Sequence, residues 1–177
     1  VVLIGAGNVG AHLARRMAGR GWPPVQVFSR QSDKAQAVAR AIGSEAVHDL
    51  QKIRPDADVY LLAVRDDAIE TVAGTLATVL NHNALVAHTS GATPSAVLAG
   101  HFRRYGVFYP LQTFSPGREP DFAKIPICVF APAAEDQAIL QTLAGRISRS
   151  VQVVNDEQRA TLHLAAVFVN NFVNLMY

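Results

Sequence analysis

A glycine pattern near the start of the chain constrains the fold more than any other feature. It follows an apolar run at residues 1–4, precedes a segment with apolar residues at helical spacing, and reads Gly5-Ala6-Gly7-Asn8-Val9-Gly10. Glycine permits a tight turn at the first position, close approach of other atoms to the backbone at the second, and close contact of helix and strand at the third. The pattern therefore predicts a strand, a tight turn and a helix in direct succession.

Strand and helix patterns alternate along the rest of the 177-residue chain. Strands are predicted at residues 1–4, 25–29, 46–47, 58–64, 84–88, 105–109, 127–131 and 151–154. Helices are predicted at residues 8–19, 32–42, 67–80 and 135–147, and from residue 156 onward. This alternation is typical of a parallel sheet covered by helices. We therefore predict an α/β fold with a Rossmann-type, doubly wound, mostly parallel sheet built from two mononucleotide-type halves.

Composition argues against several classes of function. Sixteen Lys and Arg are balanced by fourteen Asp and Glu and form no basic cluster, which argues against nucleic-acid binding. No apolar run reaches the roughly 18 residues of a membrane span, so we expect a cytoplasmic protein without a membrane partner. The single cysteine, Cys128, lies in an apolar run and is interpreted as a buried strand thiol. The histidines show no metal-ligand spacing, so no metal site is predicted.

The glycine turn also predicts a ligand. The first turn of the following helix offers unpaired N–H groups and a partial positive charge, which suit the pyrophosphate of a dinucleotide. The predicted contacts are the six residues of the run, Gly5, Ala6, Gly7, Asn8, Val9 and Gly10. An ordinary strand–helix turn without a ligand is the alternative.

The residues after the second strand bear on which dinucleotide binds. An NAD-specific site carries Asp or Glu about 20 residues past the last glycine, whereas this chain has Ser29 and Arg30 there. A guanidinium binds phosphate oxygens in a bidentate fork, so the pair predicts recognition of a 2′-phosphate. NADP(H) is therefore the expected cofactor, with NAD(H) second. A solvated surface arginine is the alternative for Arg30.

Ligands of doubly wound folds bind at the carboxyl ends of the strands, so residues at those ends are further candidates. Ala63, Val64 and Arg65 end the fourth strand and are predicted to contact the cofactor. His88 and Ser90 end the fifth strand, where we expect contact with the nicotinamide, and Ser90 is also predicted to polarise the substrate. The alternatives are a capped turn for Ser90 and a partly buried imidazole with satisfied hydrogen bonds for His88.

Polar residues farther along indicate a substrate pocket. Tyr109 and Gln112 flank the end of the sixth strand and are predicted to line that pocket, with a structured loop as the alternative. In the last helix, His163 is predicted to protonate the substrate, Asn170 to contact it and Asn171 to orient it. Their spacing places them on a similar helix face, and an imidazole titrates near neutrality. Hydrogen bonds to neighbouring helices are the alternative for these side chains.

The chain divides at the start of the last helix. Residues 1–155 are assigned to the NADP-binding domain and residues 156–177 to the beginning of a helical domain. The last helix has little polar surface and is still apolar where the sequence stops, so it needs a further surface to pack against. We therefore expect a cofactor-binding domain followed by the first helix of a largely absent domain.

Four motifs together carry a resemblance to a known family. They are the glycine run, His88-Thr89-Ser90-Gly91, Pro110-Leu111-Gln112-Thr113-Phe114, and His163-Leu164-Ala165-Ala166 with Asn170-Asn171-Phe172. They resemble a bacterial Rossmann-like family of unassigned function with a C-terminal helical domain of unknown function. That family is similar to deazaflavin-dependent NADP oxidoreductases, pyrroline-5-carboxylate reductase, 3-hydroxyisobutyrate dehydrogenase and prephenate dehydrogenase. The resemblance implies an NADP-binding domain and a helical domain that completes the active site and forms a homodimer.

Two departures from that pattern bear on the chemistry. The related hydroxyacid dehydrogenases carry a catalytic Lys four residues before an Asn of the last helix, whereas the corresponding residues here are Val167 and Ala166. Prephenate dehydrogenase-like proteins carry His where this chain has Tyr109. We therefore predict an NADP(H)-binding oxidoreductase that moves a hydride between the nicotinamide and a small carbonyl, imine or second cofactor. A non-catalytic NADP(H)-binding sensor or scaffold protein is the alternative.

Overall fold

The computed structural model describes the backbone of residues 1–115, 117 and 120–176, and the side chains of those residues up to 169. The strands are β1 (Val2–Ile4), β2 (Gln26–Phe28), β3 (Glu45–Val47), β4 (Val59–Leu62), β5 (Leu85–His88), β6 (Arg104–Pro110), β7 (Ile127–Phe130) and β8 (Val151–Val153). The helices are α1 (Asn8–Ala18), α2 (Ser32–Ile42), α3 (Ile69–Ala77), α4 (Ala134–Ile147) and α5 (Asp156–Met176). Short 3-10 turns lie at Leu50–Lys52, Asp66–Ala68 and Ser95–Leu98.

The eight strands form one sheet in the order β3-β2-β1-β4-β5-β6-β7-β8. Neighbouring strands are parallel except β6 and β7, which are antiparallel with Tyr109 opposite Cys128. The chain proceeds outward from β1 through β2 to β3 and then returns to place β4 on the other side of β1. The predicted α/β, doubly wound, mostly parallel fold is confirmed, and its topological switch point lies between β1 and β4.

Helices cover both faces of the sheet, which is why the central strands are apolar on both sides. On one face, Leu13 and Met17 of α1 belong to the same core cluster as Leu3 of β1, and α2 and α4 lie in this layer. On the other face, Ile4 of β1 belongs to the core cluster of Ile69 on α3. Alternate residues of β1 thus anchor two layers. Over the part of the chain that the structure describes, no helix is long and apolar enough to cross a membrane.

The second half of the sheet differs from the predicted second mononucleotide-type half. Between β5 and β6 lies only the 3-10 turn Ser95–Leu98, and the described residues of the segment 111–126 form no helix. Pro120 and Pro126 interrupt that segment, and proline disfavours a helix because it lacks an N–H group. Because no helix carries the chain back across the sheet, β7 returns antiparallel to β6. α3 is also shorter than the predicted helix at 67–80, since residues 66–68 form a 3-10 turn.

The first turn of α5 is fixed to the turn that follows β5. Oδ2 of Asp156 accepts hydrogen bonds from the backbone N–H and the hydroxyl of Ser95, both at 2.9 Å. Arg159 is 1% exposed and donates to Oδ1 of Asp156 at 2.6 Å and to the carbonyl of Thr93. Burial acts to raise the pKa of Asp156, but the hydrogen bonds from Arg159 and Ser95 outweigh it and leave the pKa lowered. The start of α5 is therefore anchored to the sheet, whereas the division into two domains at residue 156 stays a prediction.

Candidate functional site

The glycine turn joins β1 to α1 at the switch point, and its three glycines have different surroundings. Gly5 has a φ of +119°, and a Cβ there would lie 2.2 Å from the carbonyl oxygen of Ala63. A Cβ at Gly10 would lie 1.9 Å from the carbonyl oxygen of Gly5. At Gly7, a Cβ would meet no atom within 4 Å. Packing therefore requires Gly5 and Gly10, whereas Gly7 leaves an open approach to the start of α1.

The N-terminus of α1 is arranged to receive an anion. Gly7 is the exposed N-cap residue, no side chain among the described residues caps the helix there, and its first turn carries no acidic residue. The side-chain amide of Asn8 donates to the carbonyl of Phe114 at 3.1 Å, so this side chain is directed to the loop after β6. Ala6 is buried and Val9 is half-buried, so both support the turn. Unpaired N–H groups and the partial positive charge of a helix N-terminus suit a pyrophosphate.

Ser29 and Arg30 follow β2, on the other side of β1 from β4. The Ser29 N–H donates to the carbonyl of Val47 at 3.0 Å, and the Ser29 hydroxyl accepts from the N–H of Gln31 at 3.2 Å. Arg30 is exposed and makes no hydrogen bond or ion pair with any described residue. Its guanidinium is therefore available to an anionic group of a ligand at the end of β2.

The predicted contacts after β4 have other partners within the chain. Ala63 packs against the glycine turn, because its carbonyl group occupies the space that a side chain at Gly5 would need. Val64 is half-buried. Arg65 is exposed, and its guanidinium forms an ion pair with the carboxylate of Asp67 at 2.7 Å. Ala63 thus shapes the turn, and contact of these residues with a cofactor stays a prediction.

The polar side chains after β5 are engaged in the turn itself. His88 is fully buried, and its Nδ1 accepts from the N–H of Ser90 at 3.2 Å. Desolvation, reinforced by the charge of Arg159, lowers the pKa of His88 to about 4. The Ser90 hydroxyl donates to the Thr93 hydroxyl at 2.9 Å and accepts from the N–H groups of Ala92 and Thr93. The hydrogen bonds of Ser90 match the alternative of a capped turn and give no support to Ser90 as a group that polarises a substrate. His88 is fully rather than partly buried, and its Nε2 has no hydrogen-bond partner among the described residues.

A buried tyrosine and a histidine meet beyond the ends of β5 and β6. Tyr109, the next-to-last residue of β6, is 8% exposed. Its hydroxyl lies 2.8 Å from Nδ1 of His163 on α5. The two rings pack edge to face with their centroids 5.7 Å apart. A Cβ at Gly91 would lie 2.5 Å from Nδ1 of His163 and 2.7 Å from Cζ of Tyr109, so a glycine is required there. Burial, and to a lesser extent Cys128, raises the pKa of Tyr109 to about 12.

The remaining predicted substrate residues are not described in contact with Tyr109 and His163. One residue of this region, Arg159, was not predicted from the sequence. Gln112 is exposed on the loop after β6, and the side chains of Asn170 and Asn171 lie outside the described residues. The spacing of Arg159 from Asp156 in the first turn of an apolar helix is nevertheless one that forms ion pairs. Within the described ranges, no group of three or more His, Cys, Asp or Glu could hold a metal ion.

The glycine turn and the Tyr109–His163 pair lie at one edge of the sheet. β1, β4, β5 and β6 are parallel neighbours, so their carboxyl ends share that edge. Three strand spacings separate β1 from β6, which is about 14 Å across the sheet. Arg30, the glycine turn and the pair follow one another in the order expected for the adenosine, pyrophosphate and nicotinamide parts of a dinucleotide. The fold and this site define a dinucleotide-binding Rossmann-type domain.

Comparison with known families agrees with that class. Residues 1–91 match the model of a family described as NADP oxidoreductase, coenzyme F420-dependent, and residues 125–177 match a domain of unknown function, DUF2520. The chain belongs to this NADP oxidoreductase family, as its predicted resemblance implied. A search of curated proteins gave no match.

Solved structures show the same architecture. A protein from Bacteroides fragilis, named as an NADP oxidoreductase by inference, is 41% identical with a TM-score of 0.94 over 99% of this chain and 68% of that one. A Thermotoga maritima protein is 23% identical with a TM-score of 0.77 over 99% and 65%. A prephenate dehydrogenase from A. aeolicus, solved with hydroxyphenyl propionate and NAD⁺, is 12% identical with a TM-score of 0.79 over 98% and 68%. The last two likenesses show the fold alone, and the chain spans about two thirds of the length of these proteins.

Proposed function

We propose that the chain is the NADP(H)-binding part of an oxidoreductase that moves a hydride between the nicotinamide and a small carbonyl, imine or second cofactor. Membership of an NADP oxidoreductase family supports the reaction class. The observation that carries the proposal is the open approach at Gly7, where no described atom lies within 4 Å of the position that a Cβ would take. The unpaired Arg30 on one side of that opening supports a cofactor with a 2′-phosphate.

The residues divide between cofactor and substrate. The backbone of Gly7 and the first turn of α1 would bind the pyrophosphate, and Ser29 with Arg30 would bind the 2′-phosphate. When bound, the nicotinamide supplies or accepts the hydride. His163 lies at the other end of the site and would exchange a proton with the substrate. A further helical domain would close over the substrate and form a homodimer.

The test is a fluorescence titration of the full-length protein with NADPH and with NADH. Arg30→Ala should weaken NADPH binding at least tenfold, because a hydrogen-bonded charge pair contributes about 1.5–3 kcal/mol, and should leave NADH binding nearly unchanged. Arg40→Ala, an exposed position at the far end of α2, is the control and should change neither affinity. An equal loss for both cofactors contradicts the 2′-phosphate assignment.

A second arm of the titration tests the pyrophosphate site. Gly7→Ala introduces a side chain that meets no described atom within 4 Å, so the protein should stay folded while the affinities for NADPH and NADH both fall. Retained affinity in Gly7→Ala, or no binding of either cofactor by the unchanged protein, overturns the proposal.

A non-catalytic NADP(H)-binding sensor is the second candidate. It is favoured by Ala166 and Val167, which stand where the related hydroxyacid dehydrogenases carry their catalytic lysine. The Ser90 hydroxyl is already hydrogen-bonded to the Thr93 hydroxyl, which also favours a protein without catalytic activity. NADPH binding without turnover of carbonyl, imine and deazaflavin probes by the full-length protein would favour the sensor.

A further inference from the structure

We infer that Tyr109 positions His163 so that Nε2 of the imidazole donates a proton to the substrate, and that the substrate is a carbonyl compound. The inference rests on the proposed hydride transfer and names its substrate class. Three features carry it: the direction of the hydrogen bond between the two side chains, the freedom of Nε2, and the rigid surroundings of the pair.

The direction of the hydrogen bond follows from burial. The Tyr109 side chain is buried, and Nδ1 of His163, 2.8 Å away, is the one hydrogen-bond partner of its hydroxyl among the described residues. A buried donor without an acceptor is energetically costly, so Tyr109 donates its proton to Nδ1. A neutral imidazole that accepts at Nδ1 carries its own proton on Nε2. The hydrogen bond therefore selects the tautomer in which Nε2 is the donor.

Nε2 of His163 is free to meet a ligand. His163 is only half-buried, and its Nε2 is neither enclosed nor hydrogen-bonded to any described residue. The contrast with His88 is direct, because Nε2 of His88 also has no partner in the described part of the chain but is sealed inside the protein. Of these two imidazoles near the strand ends, His163 is therefore the one that can reach a substrate.

Two contacts fix the position of the imidazole. On one side, the backbone of Gly91 packs so closely against the rings of Tyr109 and His163 that a side chain would not fit between them. Along the helix, Arg159 lies one turn before His163 and is tied to the carbonyl of Thr93. The turn after β5 thus holds both His163 and the start of α5. A catalytic group held in this way needs little reorganisation when a substrate binds.

The chemistry of this arrangement fits a carbonyl group. Hydride addition at a carbonyl carbon moves the C=O π electrons onto oxygen, which then needs a proton. His163 donates its Nε2 proton to that oxygen while Nδ1 takes the phenolic proton of Tyr109. After the product leaves, Nε2 takes a proton from solvent and Nδ1 returns its proton to the tyrosinate, which restores both side chains. An alkoxide is a stronger base than a phenolate, so the transfer is favourable. An iminium substrate already carries its proton and requires no such donor.

Charges around Tyr109 bear on the transient tyrosinate. Burial raises the pKa of Tyr109 to about 12, and Cys128 and Asp66 act in the same direction. The Arg159 guanidinium acts in the opposite direction and favours the anion. Tyr109 therefore stays protonated at neutral pH and holds a proton ready for Nδ1.

The first test reads the tautomer directly, by NMR of protein labelled with ¹⁵N-histidine. In the unchanged protein at pH 8, His163 should show a protonated Nε2 and an unprotonated Nδ1 that accepts a hydrogen bond, with the signals assigned through His163→Gln. In Tyr109→Phe, the Nδ1 shift should move toward that of an unbonded imidazole nitrogen, while the His88 signals and the NADPH affinity stay unchanged. Tyr105→Phe, on the same strand, is the control. A protonated Nδ1, or an Nδ1 shift that Tyr109→Phe leaves in place, overturns the positioning role.

The second test addresses the substrate class with NADPH, a panel of small 2-keto acids and ketones, and a cyclic imine. Tyr109→Phe and His163→Gln should lower kcat for a carbonyl substrate at least tenfold and change KM less than threefold. Absence of carbonyl turnover by the full-length protein, or equal turnover by the variants, overturns the carbonyl assignment. Loss of NADPH binding would instead overturn the proposed function, so the two failures are distinguishable.

Discussion

His88 couples the stability of the fold to pH, because its imidazole is buried in its neutral form. Desolvation, followed by the charge of Arg159, lowers the pKa of His88 to about 4 in the folded protein, against an ordinary value near 6.5 when the chain is unfolded. Between these two values the unfolded state binds more protons than the folded state. The stabilisation is therefore fully present above pH 6.5 and is lost as the pH falls toward 4, by roughly 3 kcal/mol at most.

Urea unfolding of the unchanged protein and of His88→Gln between pH 7 and pH 4 tests this coupling. The difference in free energy of unfolding between the two proteins should shrink as the pH falls, because the variant has no imidazole to protonate. His82→Gln, at an exposed position, should track the unchanged protein at every pH. A difference that stays constant with pH would show that His88 stabilises by packing alone.

At the scale of secondary-structure elements, α1 and the turn that follows it provide hydrogen bonds that the end of α4 lacks. Nε and Nη2 of Arg16 donate to the carbonyl of Ile147 at 2.9 and 2.8 Å, and Nε of Arg20 donates to the carbonyl of Arg146 at 3.0 Å. The last carbonyls of a helix have no partner within the helix, and basic side chains near them are favourable. Two helices far apart in sequence are thereby joined on one face of the sheet.

Arg16→Met should lower the free energy of unfolding by about 1–3 kcal/mol, because it keeps most of the aliphatic length and removes both charged hydrogen bonds. Arg15→Met, at the exposed neighbouring position, should change it by less than about 0.5 kcal/mol. Denaturant titration followed by circular dichroism measures both. Equal losses in the two variants would mean that the contact with Ile147 contributes nothing.

The elements also show which parts of this protein could be predicted from its sequence. The glycine turn and the first strands were predictable because local spacing and small residues alone dictate them, as Gly5 and Gly10 illustrate. The antiparallel course of β7 was not, because it depends on where a long proline-containing loop returns rather than on the strand's own residues. The partners of His163 and Arg159 were hidden for a similar reason, since Tyr109 and Thr93 lie more than fifty residues away in the sequence.

For the molecule as a whole, the apolar surface of α5 predicts association. Leu164 and Phe168 are each 70% exposed and Val169 is 60% exposed. Exposed apolar patches of this kind mark surfaces that bind a partner. We expect a second copy of the protein, with its helical domain, to cover this face.

Light scattering coupled to gel filtration tests the association of the full-length protein. The unchanged protein should have the mass of a dimer at micromolar concentration, and Leu164→Glu with Phe168→Glu should shift it toward the monomer. Gln158→Glu adds a charge at an exposed position of the same helix without removing apolar surface, so it should leave the mass unchanged. A monomeric unchanged protein would contradict the proposed homodimer.

The packing of Ala63 against Gly5 has a consequence for the order of events during synthesis. The glycine motif is synthesised before β4, but the carbonyl group that closes its turn belongs to Ala63, which is made only after β4. β1 likewise lacks one of its two neighbours until β4 exists, and parallel pairing of this kind folds slowly. A nascent chain that ends before residue 63 thus contains the whole glycine motif and no finished site. Cofactor binding therefore requires synthesis to continue past β4, well beyond the motif that marks the site.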